Sequence, residues 1–227
     1  MLDTILRILF IFTISLAGIT LFILPFYAAF RFRKRSTELG RVNVSLEHFF
    51  KSPEANALVF LWALGEATIW FVIPEFLLVL VLFMRAERKF QLVLYDIYGT
   101  IIGTLIAINI HLSASQISNL AFIKPKMLAQ VQAWFEQLGV FGLVYQPFSG
   151  VPYKVFTFQA AHEHFAIIGF IALAILVRLA RYFLAYSVLK ALYPVLHRYV
   201  YRNYIRLYIG AIFVFSLLLL RISNIYR

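Results

Sequence analysis

From Ile8 to Phe30 the chain carries no Asp, Glu, Lys or Arg. At about 1.5 Å per residue, a helix over that run crosses a hydrocarbon core ~30 Å thick. With 63% of its 227 residues apolar and 14% charged, a water-soluble fold of this length could not hide its apolar surface in a core. The sequence therefore predicts an all-α polytopic membrane protein.

The N-terminal apolar run is longer than the core of a secretory signal peptide. It is followed by Arg31-Phe32-Arg33-Lys34-Arg35 rather than by a small-residue cleavage site, so it reads as a retained first span, about Ile5 to Phe30. The basic cluster after it outweighs Asp3 and Arg7 before it, which places the N-terminus outside and the cluster in the cytoplasm of a cell inner (plasma) membrane. The net charge of +11 would point to nucleic acid in a soluble protein. Here Lys and Arg gather at the ends of apolar segments, so membrane lipids with anionic headgroups are the expected partner and no nucleic acid is expected. There is no cysteine, hence no disulfide and no thiolate metal site.

Further spans are expected at about Leu92–Leu112, Phe165–Tyr186 and Ile205–Ile222. Ser52-Pro53-Glu54 looks like a helix start with proline in the first turn. Gly99 and Gly103, at i and i+4, would let another helix approach closely. Met127–Leu138 reads as an amphipathic helix in the interface, anchored by Trp134 and Phe135. Three regions follow: 1–56 as first span and cytoplasmic linker, 57–186 as the main membrane unit, and 187–227 as a basic, tyrosine-rich collar with the last span.

Two apolar stretches do not read as simple spans. Ala57–Met84 contains Glu66 and Glu75 beside Pro74, and Gly139–Ala161 contains Pro147, Gly150, Pro152 and Lys154. Carboxylates at membrane depth cost roughly 2.5–3.5 kcal/mol each on insertion scales, and persist when buried against protein, paired, or facing water. Broken backbone at that depth must likewise be enclosed. Paired interrupted segments of opposite charge point to a transport site. Four spans with two re-entrant hairpins, or six full spans, both fit the pattern; proline and glycine content favours re-entry.

Two blocks resemble the DedA superfamily (the VTT-domain, or SNARE-associated Golgi protein, family), and its YqaA-like branch in particular. In the first, Gly65-Glu66 leads to Pro74-Glu75 and an aliphatic run. In the second, Phe135-Glu136-Gln137-Leu138-Gly139 precedes Phe148-Ser149-Gly150-Val151-Pro152-Tyr153-Lys154-Val155-Phe156-Thr157, with Arg178-Leu179-Ala180-Arg181-Tyr182-Phe183 closing the match. The likeness spans about Leu58–Tyr186. Phe148 and Lys154 stand where many members have two arginines, and Gln159-Ala160-Ala161 where a small glycine is expected. The resemblance implies two re-entrant hairpins meeting at mid-bilayer, and a role in lipid flipping or scrambling, with or without proton coupling.

The candidate substrate- or proton-binding residues are Glu66, Glu75, Lys154, Arg178 and Arg181. A carboxylate leaving water takes up protons more readily, which would couple protonation to movement of an anionic headgroup. The structural alternative is a salt bridge from Glu66 to Lys154, Arg178 or Arg181 that locks the hairpins. Lys154 could instead snorkel, and the two arginines could anchor the cytoplasmic end of their span. Asp96 is expected to pair with Arg85 or Arg88. His162-Glu163-His164 lacks the spacing that puts two imidazoles on one helical face, so no metal and no cofactor is expected. Ser149-Gly150 is too slight for a nucleophile, and an enzyme is not expected. Besides lipid transport, a small-solute or ion transporter and a non-transporting membrane scaffold remain open.

Overall fold

The computed structural model describes residues 2–34, 42–69, 89–110, 112, 114–120 and 122–226, and among these every regular element is a helix. They are α1 (Leu2–Lys34), α2 (Val42–Phe50), α3 (Pro53–Thr68), α4 (Lys89–Asn109), α5 (Ala114–Ser118) and α6 (Pro125–Leu138). A 3₁₀ helix (Gly139–Tyr145) and α7 (Gln146–Ser149) follow, then α8 (Tyr153–His162), α9 (Ile167–Arg202) and α10 (Tyr204–Ile225). Four stretches are long and apolar enough to cross a membrane: Leu6–Phe32, Phe90–Asn109, Ile167–Leu196 and Tyr204–Ile225. They match the four expected spans to within a few residues, except at one end. α9 does not stop near Tyr186 but runs on through the basic, tyrosine-rich stretch to Arg202. That helix has 36 residues, about 54 Å at helical rise, and so outruns the bilayer by several turns.

Pairing directions follow from close contacts. Phe12 of α1 meets Phe213 of α10 edge to face, and the cleft that joins Arg7 and Phe10 also takes in Leu220 and Asn224, so these two spans are antiparallel. α3 and α4 are parallel. A Cβ on Gly99 would lie 3.0 Å from the Ala63 Cβ and against the Phe60 carbonyl, while one on Gly103 would lie 2.8 Å from both the Ala67 Cβ and the Leu64 carbonyl. The i, i+4 glycines thus do what small residues do at membrane helix interfaces, letting backbones approach where no larger side chain fits. α3 starts where the sequence predicts, with Ser52 preceding Pro53 at the first helical position.

The interior inverts the arrangement of a soluble protein. Large apolar side chains such as Phe10, Leu21, Ile168, Phe183 and Val195 face outward, whereas Glu66, Asp96, Lys154 and Arg178 are buried. Outward apolar surface is costless in hydrocarbon, and buried charge persists only when paired. Phe30, Phe49, Trp62 and Leu92 centre one apolar cluster, which joins α1, α2, α3, α4 and α10. A second, around Val131, Phe135, Phe156 and Phe170, gathers α6, α8 and α9 about the broken segment.

Candidate functional site

The broken segment is built residue by residue. α6 opens on Pro125 and closes at Gly139, whose φ of 56° with ψ of −142° is a conformation that glycine adopts far more readily than other residues. Its buried residues Met127, Leu128, Val131 and Phe135 form one helical face. Phe135 is therefore not an interfacial anchor: it packs edge to face on Phe156 and Phe165 inside the protein. Trp134 stacks between Tyr145 and Phe156. α7 ends at Gly150, with φ 71°, where a Cβ would also sit 2.8 Å from Ile222 of α10. Pro152 then precedes α8. The backbone exposed by the break finds protein partners. The Ser149 hydroxyl accepts from the Val151 N–H at 3.1 Å, and the Tyr226 hydroxyl donates to the Ser149 carbonyl at 3.1 Å. The Ser149 hydroxyl is thereby a turn cap.

At the junction of α3, α4, α8 and α9 lies a closed group of charges. Arg178 of α9 donates through Nη2 to Glu66 Oε2 of α3 and, at 3.3 Å, through Nη1 to Asp96 Oδ2 of α4. Its guanidinium also lies over the Tyr153 ring, 5.4 Å from the centroid. The Tyr153 hydroxyl bonds Thr104 of α4 at 2.9 Å. Lys154, with no exposed surface, donates to the Ile69 carbonyl at 2.9 Å, just past the end of α3, and interacts electrostatically with Glu66. Thr157 reaches the Ala67 carbonyl at 3.3 Å. The planar fork of arginine suits a bridge between two carboxylates, and its charge with that of Lys154 balances theirs. The second Glu66 oxygen, Oε1, is buried and has no hydrogen-bond partner among the described residues.

Of the residues singled out from sequence, Glu66, Lys154 and Arg178 meet here. Glu75, with Pro74, lies outside the described residues. Arg178 is not at a rim: it is 4% exposed and eleven residues into α9. Arg181, partly exposed, donates instead to Gln146 at 2.7 Å and so ties α9 to α7 at the start of the break. Asp96 pairs with Arg178, where the sequence led to expecting Arg85 or Arg88, which lie outside the described residues. The same rule that marks Glu66, an acid within a span, applied equally to Asp96; the nearby basic cluster supplied an easier partner. Tyr153 gave no sequence signal beyond its place in a resembling block, and Thr104 gave none. His162 contacts the Leu112 carbonyl at 3.0 Å, and no group of three metal-ligating side chains occurs among the described residues.

No family model matches the chain, and no solved structure matches it. It is 29% identical over 122 residues to a protein of Haemophilus influenzae (strain ATCC 51907 / DSM 11121 / KW20 / Rd) described as uncharacterized, a match covering 52% of this chain and 64% of that relative. What fold and site define together is a class: an all-helical, multi-pass membrane protein with an ion cluster enclosed in its bundle.

Proposed function

We propose that the chain is a DedA/VTT-like protein of the cell inner membrane that moves a lipid or another amphipathic anion between leaflets. The observation that carries this reading is the enclosed Glu66–Arg178–Asp96 group with Lys154 beside it. Charges at that depth are costly and mark substrate or proton paths in membrane proteins. Re-entry of both broken segments is supported by direction. Because α3 and α4 are parallel, both helices start at the same end of the bundle. α8 runs alongside α4, from Tyr153 at Thr104 to His162 at Leu112, and its 10 residues are too few to cross. Arg178 and Lys154 are the groups suited to a phosphate, and Glu66 Oε1 is a buried acceptor with no hydrogen-bond partner among the described residues. No cofactor and no catalytic step enter this reading.

Purified protein in sealed vesicles should equilibrate fluorescent phospholipid between leaflets, and Glu66→Gln should abolish that while leaving expression and monodispersity normal. Undiminished activity in that variant would remove the proposed site. If labelled lipid does not move but a small anion does, the same ion cluster serves a solute carrier. A second reading has its own observation: Arg178 is already shared by two carboxylates, as a structural lock would be. A scaffold of that kind predicts that cluster substitutions change stability while flux is nil throughout.

A further inference from the structure

A second charged cleft lies away from the ion cluster, where the first turns of α1, the turn before α6 and the last turns of α10 come together. Its volume is about 400 Å³, within the range of small-molecule sites, roughly 300–1,000 Å³. Arg7 and Lys124 supply cations, Ser223 and Asn224 neutral hydrogen-bonding groups, and Phe10 and Leu220 an apolar wall.

Its height in the bundle is fixed by the spans that form it. Arg7 is the second residue of the stretch Leu6–Phe32, and Ser223 and Asn224 fall in the last three of Tyr204–Ile225. The cations therefore sit at one rim, at headgroup depth. The apolar wall continues into the outward faces of the same helices, at Leu9 and Phe10 on one side and Leu217 and Leu218 on the other. Phe122, which also borders the cleft, has a φ of 63°. A bulky side chain rarely takes that conformation, and where it does the surrounding structure holds it there. The turn so bent delivers Lys124 to the cleft as it starts α6.

We infer that this cleft binds the phosphate group of an anionic lipid, with Arg7 and Lys124 on the phosphate, Ser223 and Asn224 on its ester or glycerol oxygens, and the acyl chains along Phe10 and Leu220. A mixed lining of this kind fits an amphiphile better than a free anion, since half the wall would otherwise meet hydrocarbon with nothing to gain from phosphate. The site does not depend on transport. Its far wall is nevertheless the segment of α10 that holds the break, through Ile222 against Gly150 and Tyr226 on the Ser149 carbonyl, so an occupant here presses on the turn that leads to Lys154.

The test uses the full chain in mild detergent, with phosphatidylglycerol, phosphatidylcholine and inorganic phosphate as probes and native mass spectrometry as readout. Phosphatidylglycerol should be retained at least about tenfold more tightly than phosphatidylcholine, the scale of a charge-assisted contact. Arg7→Gln and Lys124→Gln should each lose part of that preference and the double variant all of it. Arg7 is exposed and Lys124 partly so, and size-exclusion profiles check that each variant stays folded. Arg221→Gln, which removes an exposed cation near the same end of α10 but outside the cleft, should bind as the parent does. Unchanged lipid retention in the double variant would overturn the assignment, as would equal retention of the two phospholipids. Displacement of phosphatidylglycerol by equimolar inorganic phosphate would show a free-phosphate site and refute the lipid.

Discussion

Replacing Arg178 with Gln leaves two carboxylates facing each other in the bundle interior, and the resulting cost can be worked from geometry. At 3.3 Å from Asp96, with an effective dielectric near 20, the attraction is about 5 kcal/mol before desolvation is counted. Desolvation of both ions offsets much of this, and measured costs of removing one partner from a buried pair run ~3–5 kcal/mol, because the survivor stays buried and unpaired. Here Glu66 and Asp96 are 3% and 2% exposed, so neither reaches solvent by rotation alone. Arg178→Gln should therefore lower unfolding free energy by roughly 3–5 kcal/mol, measured by denaturant titration in mixed micelles. Glu66→Gln should cost less, since it leaves Arg178 with Asp96. Combining the two should give a coupling of at least about 1 kcal/mol, because the second change removes one of the two like charges that the first leaves together. Additivity of the two changes within about 0.5 kcal/mol would refute the premise that these groups form one desolvated unit.

The glycine contacts and the topology give further expectations. Gly99→Ala should weaken α3–α4 packing by about 1–3 kcal/mol, because its Cβ would meet the Phe60 carbonyl and lie 3.0 Å from the Ala63 Cβ. Gly210→Ala in α10, where nothing lies within 4 Å, should be neutral or slightly stabilising in the same melting assay; equal effects at the two positions would contradict the close approach. Because the chain has no cysteine, single introduced cysteines report sidedness directly. Lys126→Cys and Ser223→Cys should label with an impermeant maleimide from one face and Asn203→Cys from the other, and labelling of all three from one face would break the proposed arrangement.

How far the sequence could be read depended on how local each cause was. The four spans are set by composition over about twenty residues, and their boundaries came close. Ser52-Pro53 marked the start of α3 because a first-turn proline loses nothing by lacking an N–H. Gly99 and Gly103 announced a close helix contact, though not which helix would fill it. The extent of α9 was misjudged because arginines and tyrosines that read as a collar are also good enough helix formers to continue the turn. Phe135 read as an anchor because an amphipathic face looks the same whether it meets lipid or Phe156.

At the candidate site, the presence of Glu66, Lys154 and Arg178 within apolar stretches was visible, since each charge at that depth demands a partner. Which partner it found was not. Asp96 lies 82 residues from Arg178 and Glu66 lies 112 from it, and no periodicity encodes pairings across such distances.

The sequence alone thus determined that the chain resides in a membrane, roughly where it crosses, and which side chains could not be left to hydrocarbon. Tertiary structure alone decided that one arginine serves two acids while Lys154 turns to the end of α3. It also decided that the parallel course of α3 and α4 brings them within its reach. The physical reason is that burial cost belongs to each residue separately, whereas its relief belongs to whichever helices pack together.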